Sequence, residues 1–143
     1  MNDDVLIACD HGGVELKQSL KAALPDIAWV DLGTHGTEPV DYPDYAEKLA
    51  QALKDGVAAR GVLICGTGIG VSIAANRHPH VRCALVHDVT GAKLCRQHND
   101  ANVLALGGRV IGSLVAKECV EAFLATAFDG GRHQARVSKL GCI

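Results

Sequence analysis

GVLICGTGIGVSIAAN, residues 61–76, runs as an apolar strand-like stretch to Cys65. It breaks there into three alternating glycines, Gly66, Gly68 and Gly70, and resumes as a short helical pattern. A strand that turns through glycine straight into a helix belongs to an α/β architecture with a parallel sheet. Glycine lets the backbone turn sharply and approach a ligand closely, and the unpaired N–H groups opening the helix point at whatever sits there, an anion above all. Cys65 stands in that same positive field, where thiolates are favoured. A base or nucleophile and an anion can therefore meet at this joint.

Outward from this segment the pattern repeats. Strands are expected at 5–8, 28–31, 62–65, 83–86 and 103–106, and helices at 14–24, 45–53, 70–76, 89–98 and 114–127. Five strand and helix units in succession, with short joints and no internal repeat, give a three-layer α/β/α fold around a five-stranded parallel, Rossmann-like sheet. At 143 residues the chain fits one domain spanning 1–143, with the tail 130–143 as its one irregular segment. The apolar fraction is 48% but aromatics supply only 3%, so the core is built from Val, Leu, Ile and Ala, as in parallel sheets covered by helices.

Charge narrows the classes of partner. A formal net charge of −2 and a pI near 6.4, with no basic run interleaved with aromatics, argue against a nucleic-acid partner and against an anionic membrane surface. No stretch reaches the roughly 18 to 20 apolar residues of a membrane span, and MNDDVLIACD lacks a basic flank before its apolar run, so a cytoplasmic protein is expected. The six cysteines, Cys9, Cys65, Cys83, Cys95, Cys119 and Cys142, are scattered through apolar segments without CxxC spacing and read as buried free thiols. His78 and His80 flank Pro79 with no acidic or thiol neighbour at ligand spacing, so a surface turn is preferred there over a metal site.

In open parallel sheets ligands bind beyond the carboxyl ends of the strands. The residues in those places are polar: Cys9, Asp10, His11, Gly12 and Gly13 after the first strand, the glycine loop after the third, His87 and Asp88 after the fourth, and Gly107, Gly108 and Arg109 after the fifth. The second strand leads into the loop GTHGTEPVDYPDY, which carries Asp41 and Tyr42. Asp10 and His11 can project over the sheet edge to orient a polyol or bind an anion, although Asp10 is equally placed to cap the helix that follows. His98, Asn99 and Asp100 end the fourth helix, where a polar turn is the plain reading. If the tail is helical, Arg132 and Arg136 lie one turn apart on one face, a spacing suited to gripping a phosphate; a solvated charged face is the commoner meaning of such a pair. The positions of Arg96 and Arg109 relative to that pair are not fixed by sequence.

Nucleotide motifs fit poorly. A Walker loop needs Lys and then Ser or Thr after its last glycine, and Gly70 is followed by Val71 and Ser72. A dinucleotide GxGxxG pattern beginning at Gly66 is broken by Val71, although Asp88 lies about 20 residues on, where a ribose-binding acid belongs.

The strings ACDHGG, DYPDYA, ICGTGIGVSIAAN, RQHNDANVLALGGRV and GGRHQARV occur in this order along nearly the whole chain. Together they resemble the ribose 5-phosphate isomerase B family, which is related to galactose 6-phosphate isomerase. The resemblance implies an aldose–ketose isomerase that needs no metal or cofactor and converts ribose 5-phosphate to ribulose 5-phosphate through a cis-enediolate. A base removes the proton at C2 and returns it at C1. Cys65 matches the family's base. One branch has serine in that place and a glutamate further along the loop, where this chain has Ile69, which leaves Cys65 as the candidate.

By the same resemblance Thr67 shuttles a proton between the two oxygens, His98 opens the sugar ring, and Asp10, with Tyr42 nearby, contacts the ring hydroxyls. The N–H groups from Gly66 through Gly68, Ile69 and Gly70 hold the enediolate oxygen. Arg132 and Arg136 bind the phosphate with His11 and Arg109, and Asn99 touches the substrate. These residues come from two subunits in the family, so a homodimer with shared sites is implied, or a tetramer of two such dimers. Allose 6-phosphate, galactose 6-phosphate or a tetrose or pentose phosphate would leave every motif unchanged. A nonenzymatic nucleotide or phosphosugar binding module is the alternative of a different class.

Overall fold

A computed structural model describes residues 3–141. Five strands, β1 (Val5–Cys9), β2 (Trp29–Asp31), β3 (Arg60–Cys65), β4 (Cys83–Leu85) and β5 (Val103–Gly107), form one parallel sheet in the order β2-β1-β3-β5-β4. The helices between and after them are α1 (Val14–Ala23), α2 (Tyr42–Lys54), α3 (Ile69–Ala75), α4 (Val89–Gln97), α5 (Ser113–Ala125) and α6 (Arg132–Leu140), with one 3-10 turn at His11–Gly13. This is the expected α/β/α sandwich.

The central strands are buried on both faces, which is why they read as continuous apolar runs. Their side chains alternate between two cores. Val5, Ile7, Cys9, Val62, Ile64, Leu104 and Leu106 pack with Leu16, Leu20, Ala92, Val120 and Phe123 from α1, α4 and α5. Leu6, Ala8, Leu63, Cys65, Val103 and Ala105 pack with Ala46, Leu49, Ala50, Val71 and Ala75 from α2 and α3. A shift of one residue in register would exchange the two sets, so the register is fixed by burial on both sides.

Chain order leaves β1 toward β2 and β3 toward β5, so the direction of winding reverses between β1 and β3. The crevice beyond the carboxyl ends of those two strands is where such folds bind ligands. The Asp10 N–H donates to Ile64 O across this switch point at 3.2 Å.

Two expectations change. The second helix begins at Tyr42, not at 45, because Pro43 has the fixed φ of a first helical turn and lacks the N–H that such a turn leaves unused. Cys9, Cys65, Cys95 and Cys119 are buried thiols, but Cys83 is half-buried in the edge strand β4, and Cys142 lies outside the described residues. Among the described residues no helix is long and apolar enough to cross a membrane.

Lys17 is fully buried on α1. Its Nζ donates to Asp31 Oδ1 at 2.8 Å and also to the Thr34 carbonyl, while Lys21 holds Asp31 Oδ2 at 2.9 Å. Burial works against ionisation of Asp31, but the bonds from Lys17, Lys21 and the Gly33 N–H outweigh it and hold the carboxyl at about 2. This buried pair fixes the segment after β2, whose Gly33 and Thr34 bond to Cys9 on both sides, with Cys9 N to Gly33 O and Thr34 N to Cys9 O each at 2.8 Å.

Candidate active site

The carboxyl rim of the sheet brings together Asp10, His11, Tyr42, Cys65, the glycine loop and Arg109. Cys65 is the last residue of β3 and 4% exposed. The loop after it folds back so that the Gly68 N–H donates to Cys65 Sγ at 3.2 Å. That turn needs φ +78 at Gly68, where an added Cβ would lie 2.6 Å from Leu85 Cδ1 and 2.9 Å from the Leu106 carbonyl carbon, so only glycine fits. Thr67 Oγ1 accepts the Ile69 N–H at 3.2 Å, satisfying one of the free donors at the start of α3. Ile69 itself is half exposed.

Tyr42 closes over this loop from the start of α2. An added Cβ on Gly70 would lie 2.6 Å from its ring, so the bare glycine is what lets the phenol lie against the helix start. On the other side of Cys65, Asp10 is buried and its Oδ1 accepts the Gly12 N–H at 2.9 Å. The carboxylate is thus a cap, as its position suggested, and it also faces the switch point. His11 Nδ1 accepts the Val40 N–H at 3.2 Å, which places the ring's remaining proton on Nε2. His11, Gly12, Glu15, Ser19, Arg109 and Ser113 line a polar cavity of about 450 Å³ beside the loop. The Arg109 side chain lies over Gly66, and the Arg109 backbone N–H donates to Gly66 O at 2.9 Å. The Arg109 guanidinium and the His11 imidazole thus open on one polar cavity, where they can hold an anion beside the Glu15 carboxylate.

His98, Asn99, Arg132 and Arg136 are not on this rim. Helix α4 starts at the carboxyl end of β4, capped by Asp88, and runs back antiparallel to the strands. Nine residues carry it about 13 Å, so His98, its C-cap, and Asn99 sit at the opposite, amino rim. Helix α6 joins them there. The Asp129 N–H donates to Gln97 O at 3.1 Å, and the His133 ring stacks on His98 with centroids 4.5 Å apart and planes 15° from parallel. Arg132 and Arg136 are the first and fifth residues of α6, one turn apart and exposed, as the spacing predicted.

A polar network fixes the turn that bears His98 and Asn99. Asp100 adopts φ +47, unusual for a side-chain-bearing residue. Its carboxylate accepts Arg96 Nη1 at 2.8 Å and its carbonyl accepts Arg82 Nε at 2.8 Å. Arg96, 6% exposed, also donates to Ala101 O at 2.7 Å and to Thr126 O at 3.1 Å, tying the turn to the end of α5. These contacts, and the pairing of His133 with His98, were not read from sequence. The one available signal was the histidine between the two tail arginines, four residues before Val137, the pair that forms the buried stripe of α6.

Comparison with known proteins agrees with this geometry. Residues 5–140 match the family described as Ribose/Galactose Isomerase. The chain is 44% identical over 141 residues to Ribose-5-phosphate isomerase B of Escherichia coli K12, covering 97% of this chain and 95% of that one. Among solved structures, a ribose 5-phosphate isomerase from Thermotoga maritima superposes with a TM-score of 0.97 at 46% identity over 100% of both chains. Ribose-5-Phosphate Isomerase B of Clostridium thermocellum does so with a TM-score of 0.94 at 47% identity over 96% and 95%. Fold and sequence thus converge, and the chain belongs to the ribose 5-phosphate isomerase B family of aldose–ketose isomerases.

Proposed function

We propose that the protein interconverts ribose 5-phosphate and ribulose 5-phosphate through a cis-enediolate, with Cys65 as the base. The observation that carries this reading is the hydrogen bond from the Gly68 N–H to Cys65 Sγ at the switch point of the sheet. It ties the sulfur to the loop that opens α3, so that proton removal and stabilisation of the resulting oxyanion can occur at one place. The Cys65 thiolate takes the C2 proton of the open-chain aldehyde, and the electron pair forms the C1–C2 double bond as the carbonyl oxygen becomes the enediolate oxygen. Thr67 passes a proton between O1 and O2, and Cys65 returns its proton to C1. Asp10 and Tyr42 hold the sugar hydroxyls, and His11 and Arg109 receive the phosphate.

Ring opening and the second part of the phosphate grip fall to His98, Asn99, Arg132 and Arg136. They lie on the opposite rim of the same chain, so a complete site takes them from a second copy. The apolar side chains exposed beside the glycine loop, Ile69 and Ile73 one turn apart on α3, support a second copy docking there.

The test is isomerisation of ribose 5-phosphate in deuterated water with EDTA present, for wild type and Cys65→Ala. Ketose formation with deuterium incorporation in wild type alone is the expected result. Equal turnover by Cys65→Ala would move the base elsewhere. No turnover by either protein on ribose 5-phosphate, with turnover of another sugar phosphate, would keep the mechanism and change the substrate.

A further inference from the structure

We infer that His98, Asp129 and His133 form a binding site for a divalent transition-metal ion of the zinc class, and that an ion bound there inhibits the enzyme by occupying His98. The inhibitory part rests on the role proposed above for His98; the site itself does not.

One donor atom from each of the three residues lies within 4.8 Å of the other two. Ligands about 2.1 Å from a tetrahedral ion stand about 3.4 Å from one another, so closure needs movements on the order of 1 Å. The backbones that must come together are already tied, by the bond from the Asp129 N–H to Gln97 O. The two rings are close to parallel, so their lone pairs run side by side, and one ring must turn about its χ2 to converge on an ion. His133 is buried against the turn, whereas His98 is half-buried at an open helix end, which makes His98 the ring that turns.

The chemistry of the set selects the ion. Two imidazoles and one carboxylate suit zinc, cobalt, nickel or copper over magnesium or calcium, and three protein ligands leave a fourth position for water. Arg132 and Arg136 oppose a cation, but both are exposed and flank the buried stripe of α6, and the Asp129 carboxylate offsets one of them. A metal-bound imidazole cannot exchange a proton with the ring oxygen of a sugar, so occupancy stops ring opening.

The experiment measures Zn²⁺ by titration calorimetry and Co²⁺ by visible absorption on wild type, Asp129→Asn and His133→Gln. Expected are one ion per chain, a cobalt spectrum without a thiolate charge-transfer band, and a loss of affinity of at least about tenfold in each variant. Unchanged affinity in both variants, or a thiolate band, overturns the site. In parallel, Zn²⁺ should suppress isomerisation by wild type, reversibly with EDTA, and leave Asp129→Asn active. Full activity of wild type at saturating Zn²⁺ overturns the inhibition. Binding with these signatures in a protein that isomerises no sugar phosphate upholds the site and defeats the functional proposal instead.

Discussion

At the carboxyl rim, Cys65 is held by a backbone N–H, Thr67 by another, and Tyr42 by the space that a glycine leaves. At the amino rim, His98 and Asn99 depend on side chains, with Arg96 and Arg82 gripping Asp100 and its neighbours, and His133 lying flat on His98. The first arrangement follows from where strands end, and almost any α/β sheet supplies it. The second is particular to this chain and must be stabilised contact by contact. A site assembled from both rims is therefore limited by the less generic one.

Removing chemistry from the backbone-built rim gives the largest expected effect. Cys65→Ala should lower kcat by about a thousandfold, or about 4 kcal/mol in the barrier, with the thermal unfolding midpoint barely moved. Mixing Cys65→Ala with His98→Ala, each inactive alone, should restore about a quarter of wild-type activity after subunit exchange, since half the dimers are mixed and each has one intact site. No recovery, with exchange verified by mass, would sink the division of the site between rims.

On the side-chain-built rim, Arg96→Met should destabilise the fold by about 3 kcal/mol in urea unfolding, because it leaves a carboxylate and two carbonyls without a buried donor. Wild-type stability in this variant would mean that the turn holds itself. The carboxyl rim is backed by the ion pair of buried Lys17 with Asp31, and that pair gives the next effect. The Asp31 carboxyl sits at about 2 in the folded protein against an ordinary 3.8. Its contribution is complete above pH ~4 and is lost as the pH falls through about 2, so the stability gap of about 2 kcal/mol or more between wild type and Asp31→Asn should shrink over that interval. A gap that stays constant from pH 5 to 2 would refute this. Smallest, Gly70→Ala should push the Tyr42 ring off the loop and raise KM about tenfold with kcat little changed. An unaltered KM would remove Tyr42 from the substrate contacts.

The contrast also explains what was legible in the sequence. Strand and helix alternation gave the order of elements, and the rule about carboxyl ends then singled out Asp10, His11, the Cys65 loop and Arg109 as neighbours. The start of α2 was missed because Pro43 resembles a loop signal until its place in the first turn is seen. His98 and Asn99 looked like an ordinary helix end, and that is their local structure. Only the family resemblance gave them a role, and no periodicity could show that Arg96 points inward to Asp100 and Thr126, or that His133 faces His98.

Helix α4 spans the sheet from rim to rim with His98 at its far end. On the reading above, its length makes protein concentration itself a control. A chain diluted below its dimer dissociation constant would keep its fold and its thiol and lose turnover, so specific activity would fall with dilution and recover on concentration without any effector.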